Sequence, residues 1–255
     1  MPTAAVRRAR PSLIQVLLVT LPVGTVVLGI FAMWLYFQRD NSLNPLARPG
    51  FYPQEPSIES LTDRVAKLSG PVIGARGPAD ENTRHGLRAV RAFVEGSLGP
   101  GNMGYSVNTQ DFQAGETSFA NLWVDVIGGR NPTEIIEVRV AQDVPPGTFA
   151  DPAANVALAA TLELAHAFVG TESRRTIRFV FLANEADPLP ESRPGSAYFN
   201  TLMDDRRIKV LTVFNNNEGD FDAARLARPD GTIDFEAALS RIEVLRSEVS
   251  RHANR

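Results

Sequence analysis

The sequence predicts an α/β domain preceded by one membrane-spanning helix, and three observations lead there. Leu13 to Phe37 is an apolar run without a charge. The strand-like run Glu134–Ala141, a helical pattern from about Ala153 to Val169 and the strand-like run Thr176–Ala183 follow one another through short connections. A further strand-like run begins at Lys209. Strand, helix, strand in that order is a βαβ unit, which favours a right-handed crossover between parallel strands.

The apolar run contains only Gln15, Thr20 and Thr25 as polar side chains. As a helix it is long enough to cross roughly 30 Å of hydrocarbon. Arg7, Arg8 and Arg10 precede it, whereas Arg39 and Asp40 cancel after it. The positive-inside rule therefore puts residues 1–12 in the cytoplasm and the main domain outside, as a single-pass protein of the plasma (inner) membrane. Trp34, Tyr36 and Phe37 suit the outer interfacial belt, and Pro22 is a point for a kink. A cleaved signal peptide shares the basic start, but its apolar region is shorter and a small-x-small site should follow it. An uncleaved anchor over residues 13–37 is the expectation. Residues 38–60, rich in proline and polar side chains, read as a tether.

Composition narrows the chemistry. A net charge of -3 with scattered basic residues gives no footprint for nucleic acid. The absence of cysteine excludes disulfides, thiolate zinc sites and a cysteine nucleophile. The histidines are His85, His166 and His252. Within an extracytoplasmic domain over residues 61–232, Leu87, Val90, Val94 and Leu98 recur at helical spacing from Asp80, and "GPGNMG" stops them. Strand-like runs follow from Tyr105 and Phe119. Residues 233–255 form an amphipathic pattern with Phe235, Ala238, Ile242, Leu245 and Val249 on one stripe. That helix is short for an autonomous coiled coil. It docks either on its own domain or on another membrane or periplasmic protein, through Phe235, Ile242, Leu245 and Val249.

Ligands of open α/β sheets sit beyond the carboxyl ends of the parallel strands. That points to Asp143, Asn184, Glu185 and Asn215 to Asn217. Around these residues, "ANLWVDVIGG", "LELAHAF" and "RTIRFVFLANEA" resemble, in order and spacing, the co-catalytic di-zinc aminopeptidases and carboxypeptidases, peptidase family twenty-eight of the metallopeptidases. The similarity runs from about Asp80 to Gly219. It implies a three-layer α/β/α sandwich around a mixed, largely parallel sheet. It also implies two zinc ions bridged by a carboxylate, with a glutamate base activating the water between them.

Position by position, most of that ligand set is missing. The family's His-x-Asp falls on Ala141-Gln142-Asp143, so alanine replaces the zinc histidine. Its Asp-Asp-Asn falls on Pro152-Ala153-Ala154; of its Glu-Glu pair, the base matches Glu185 and the ligand matches Ala186. The later aspartate falls on Asn216. Asp151 and Asp187 are the carboxylates that a shifted loop could offer instead, although Asp151-Pro152 equally reads as a helix cap with proline at the first helical position. No shift supplies a histidine near Ala141. The sequence therefore leads to a peptidase-like domain without a bound cofactor, serving as a scaffold or binding subunit of a membrane assembly, with Glu185 a vestigial base. The alternatives are a membrane-anchored zinc aminopeptidase with unorthodox ligands and a peptide receptor that uses the former substrate cleft.

Overall fold

The computed structural model describes residues 24–34, 51–148, 151–204, 207–216 and 223–255. The chain divides into two units, Met1–Pro45 and Leu46–Arg255. In the first, residues 24–34 are helical and exposed throughout. The rest of the expected spanning segment, residues 1–12 and the tether up to residue 50 lie outside the described residues. Among the described residues, no helix is long and apolar enough to cross a membrane.

The second unit is built on a five-stranded sheet of β1 (Asn108–Ala114), β2 (Thr117–Val126), β3 (Asn131–Ala141), β4 (Arg175–Leu182) and β5 (Lys209–Asn215), in the order β1-β2-β4-β3-β5. Its helices are α1 (Ile58–Ser69), α2 (Glu81–Leu98), α3 (Val156–Ala167), α4 (Gly195–Leu202), α5 (Ala223–Leu226) and α6 (Phe235–Asn254). The expected β3-α3-β4 unit is present, and β3 pairs with β4 and β5 in parallel. The β1–β2 and β2–β4 pairings are antiparallel, so the sheet is mixed rather than largely parallel. The hairpin explains the difference, since Gly115 at φ 61 opens a tight connection that forces β2 back along β1.

Strand alternation sorts the side chains onto two unlike faces. Leu122, Val124, Ile136, Val138, Phe179 and Phe181 point to one face and join the core with α1, α2, α3 and α6. The α3 helix lies at the centre of that layer, with 11 of its 12 residues buried. Its apolarity on all sides is what a helix enclosed by other helices and a sheet requires. Its buried Glu163 is held by Arg64 and Ser60 of α1. The opposite face carries Val180 and Leu182 under Phe199 of α4, beside an ion cluster in which Arg178 grips Asp125 at 2.7 and 2.9 Å and Arg139 pairs with Glu137. The second helical layer of the expected sandwich is thus reduced, among the described residues, to α4.

At the ends of the unit one expectation changes and another is decided. The tether does not extend to residue 60: Gln54 N–H donates to the His166 carbonyl, Pro56 is buried, Glu55 pairs with Arg246, and Ser57 caps α1 from Ser60 N–H. Leu61, Val65 and Leu68 of α1 then meet the core at helical spacing. The stripe of α6 is also not free for a partner. Ile242 and Val249 are buried with Ala238 and Ala253, and Phe235 and Leu245 pack on the same core. The helix docks on its own domain because its spacing matches the groove beside α1 and α3.

Ile242→Ala should therefore lower the stability of the domain by about 2–5 kcal/mol, the usual cost of emptying a buried aliphatic site. Urea unfolding checks this; a free energy equal to the unaltered protein's would mean that α6 is not part of the core.

Candidate functional site

The carboxyl ends of β3 and β4 lie side by side, with Ala141 opposite Leu182. Beyond them the chain continues as Gln142-Asp143 on one strand and Ala183-Asn184-Glu185 on the other. Gln142 extends the pairing through its N–H to the Leu182 carbonyl, and its side-chain amide donates to the carbonyls of Ala120 and Phe181. That leaves Asp143 facing the loop after β4. Asn184, at φ 56, takes the left-handed turn that asparagine tolerates, and the following amides converge. The Asp143 carboxylate accepts from the N–H groups of Glu185 at 3.0 and 3.1 Å, Ala186 at 2.9 Å and Asp187 at 3.3 Å.

This carboxylate is 3% exposed. Burial pushes its pKa up, and the backbone amides, that of Glu185 first, pull against the shift. The buried Arg76 guanidinium stands nearby, bound to the carbonyls of Gln142 and Leu68. Burial lowers the Arg76 pKa to about 10, and the Asp143 charge opposes that shift. Arg76 lies in "GPVIGARGPAD", a loop without periodicity, so spacing alone gave no reason to single it out.

Glu185 is likewise occupied. Its Oε2 accepts from Ser196 N–H at 2.8 Å in the first turn of α4, where a carboxylate offsets the free amides and the dipole. The helix can start there because residue 195 is glycine: a Cβ would stand 2.1 Å from the Ala183 carbonyl oxygen and 2.8 Å from Asn121 Oδ1. Asp151 accepts from Ala153 N–H at 2.9 Å and opens the 3-10 turn Pro152–Asn155. Asn216, buried, donates to Thr161 Oγ1 at 2.8 Å and ties the end of β5 to α3. Ala141 and Ala153 are buried, Ala186 is exposed, and Asp187 joins through its backbone N–H.

The fold thus brings together Asp143, Glu185, Ala186 and Asp187, but as one loop fastened by Asp143. Among the described residues, no group of three or more histidine, cysteine, aspartate or glutamate side chains is placed to hold a metal ion. Asp151 and Asp187 do not complete such a group. The described residues do not fit a di-zinc centre, since alanine stands at three positions where the resemblance places donors, and the carboxylates of Asp143, Glu185 and Asp151 accept from backbone amides. His85 is exposed on α2; His166 is half-buried at the far end of α3, and His252 lies against Phe214 and near Thr212.

The structure has a zinc-exopeptidase-like α/β fold with a mixed five-stranded sheet. No protein-family model and no curated protein matches the chain. Among solved structures, a zinc-dependent exopeptidase from Parabacteroides distasonis aligns at TM-score 0.51 and 10% identity, over 77% of this chain and 99% of that one. Fimbriiglobus ruber glutaminyl cyclase aligns at TM-score 0.45 and 19% identity, over 66% of this chain and 65% of that one. The LapA aminopeptidase of Legionella pneumophila aligns at TM-score 0.46 and 15% identity, over 62% of this chain and 42% of that one. The chain thus spans less than two thirds of the cyclase and less than half of the Legionella aminopeptidase, and at these identities the likeness concerns the fold.

Asp143→Ala should strip three part-buried N–H groups of their acceptor and remove the charge nearest the buried Arg76, at a cost on the order of 3 kcal/mol. Amide exchange at Glu185, Ala186 and Asp187 should accelerate more than exchange in α1; uniform acceleration would contradict a local clamp. His166 gives a pH signature. Burial, then Arg64, holds its pKa below the ordinary 6.5. Its share of stability is therefore present above pH 6.5 and is lost as pH falls through the lowered folded value. Melting temperatures measured from pH 7.5 to 5 should fall less in His166→Gln than in the unaltered protein.

Proposed function

We propose that the chain is a single-pass membrane protein whose extracytoplasmic domain keeps a peptidase-like fold, performs no metal-dependent hydrolysis, and serves as a scaffold or binding subunit of a membrane assembly. One observation carries this reading. Both carboxylates at the carboxyl ends of β3 and β4 are committed to backbone amides: Asp143 to the loop after β4, and Glu185 to the start of α4. A general base must be within hydrogen-bond reach of the water it activates, and a zinc ligand must give its lone pairs to the ion. Here those lone pairs organise the chain.

The membrane anchor is supported by the apolar sequence Leu13–Phe37 and by the exposure, among the described residues, of Val26, Val27, Leu28, Ile30 and Phe31 in its helical part. Apolar side chains on all sides of a helix suit a lipid surrounding. Partner contact on this reading falls outside the stripe of α6, which is buried. Leu202 of α4 and Val210 and Val213 of β5 are apolar side chains of the second unit that remain exposed.

The test is elemental analysis and hydrolysis on the full chain purified in detergent. The expected result is substoichiometric zinc after dialysis against zinc-containing buffer, and no metal-dependent release of product from a panel of aminoacyl amides. Glu185→Gln should leave that null result unchanged. Stoichiometric zinc together with hydrolysis that Glu185→Gln abolishes would instead establish an aminopeptidase with unorthodox ligands.

A further inference from the structure

The amino ends of the parallel strands, at the opposite end of the sheet from Asp143, carry a cluster of cations. Arg174 lies just before β4, and Lys209 opens β5 opposite Glu134 of β3. Arg130 stands in the turn between β2 and β3, where its backbone N–H donates to the Arg174 carbonyl at 3.1 Å. All three side chains are exposed, and among the described residues none has an ion-pair partner. The C-terminus of α6 joins the same edge, because the His252 carbonyl accepts from Arg175 at 2.8 Å. The other charges there are matched, Arg175 with Glu134 at 2.7 Å and Arg251 with Glu248 at 3.4 Å. The loop before β4 adds one exposed carboxylate, Glu172, so Arg130, Arg174 and Lys209 leave two net positive charges.

The chain enters its second unit at this edge. Phe51 packs on the core, and its carbonyl lies against Gly170, where an added Cβ would stand 3.5 Å from it. Gly170 begins the loop that ends at Arg174. Beside Phe51, Tyr52 is 75% exposed, and at the start of the turn that carries Arg130, Ile127 is 48% exposed. Unpaired cations thus stand near an aromatic and an aliphatic side chain left in water. Of the acids that follow Tyr52, Glu55 is cancelled by Arg246, and Glu59 belongs to α1, which packs chiefly on α3 and α6.

We propose that this edge docks on a bilayer of anionic phospholipid, with Arg130, Arg174 and Lys209 among the headgroups and Tyr52 and Ile127 at the interface. The proposal rests on the membrane reading above, in which residues 38–50 join this edge to the inserted run. Each of those residues spans at most about 3.5 Å, so the tether keeps the bilayer within reach. Cations spread over two strand starts and a turn suit a diffuse anionic surface better than one small anion, and lipid headgroups attract each of them within about a Debye length. Tyrosine suits the boundary because its ring is apolar and its hydroxyl polar, and Ile127 gains by leaving water. The carboxyl edge, with Asp143 and Glu185, then faces away from the lipid.

The chain has no cysteine, so Ile127→Cys provides a single attachment point for a fluorophore. Val72→Cys is the control at the opposite edge: Val72 is 69% exposed in the loop leading to Arg76, whose carbonyl accepts from Val144 N–H. The full chain is reconstituted in vesicles of phosphatidylcholine, or of equal parts phosphatidylcholine and phosphatidylglycerol, each with a lipid-borne quencher. Co-flotation with the phosphatidylcholine vesicles reports the anchor alone, and its absence would overturn the membrane reading and this proposal with it. In the anchored chain, the label at residue 127 should be quenched in the anionic vesicles only, and the label at residue 72 in neither. High salt should reverse the quenching. Arg130→Gln, Arg174→Gln and Lys209→Gln should each lower the docked-to-undocked ratio about fivefold, the usual weight of one cation near anionic lipid, with melting temperatures unchanged. Quenching at residue 127 that is absent, equal in both lipids, matched at residue 72, or undiminished when the three substitutions are combined would overturn the proposal and leave the anchor standing.

Discussion

The grip of one buried carboxylate on three consecutive backbone amides organises the carboxyl edge of this sheet. Asp143 receives the N–H groups of Glu185, Ala186 and Asp187, and those residues continue from the left-handed turn at Asn184. A buried carboxylate is tolerated when hydrogen bonds replace part of its water, and here the three amides do so, pulling against the burial that pushes its pKa up. With the loop set, Glu185 can receive the first turn of α4, and Gly195 can lie against Ala183. The α4 helix then covers part of the sheet's second face. An anchor of the loop, a cap and a close approach of backbone follow from where one side chain points.

The opposite face depends on quite different physics. There α3 is enclosed by α1, α2, α6 and the sheet, and its cohesion comes from apolar area removed from water. The two regimes meet at Asn216, whose amide reaches Thr161 on α3 from the end of β5. An asparagine there supplies a donor that a carboxylate could not. The position that the resemblance gives to a metal-binding anion therefore serves packing between a strand and the central helix.

How much of this was legible in the sequence depends on whether the signal is local. The β3-α3-β4 unit followed from apolar runs and their connections, and α2 from Leu87, Val90, Val94 and Leu98. Asp151 as a cap followed from Asp-Pro before an apolar helix. The α1 helix follows directly on a proline-rich stretch that obscures its start, although Leu61, Val65 and Leu68 carry its period. The docking of α6 was left open because a stripe such as Ile242, Leu245 and Val249 looks the same whether its groove belongs to the same chain or to another. Arg76, which shares no periodic pattern with Asp143, could be found only in three dimensions. The roles of Asp143 and Glu185 as acceptors for backbone N–H groups depend on the geometry of Asn184 and Gly195, which composition does not reveal.

The central claim is that the carboxylates at this edge belong to the backbone and not to a metal. Amide exchange at Glu185, Ala186 and Asp187, followed residue by residue during a zinc titration of the full chain, tests it most directly. The Asp143 clamp predicts exchange rates at these three amides that zinc leaves unchanged up to a large excess. A saturable change in those rates at one or two zinc ions per chain would contradict it.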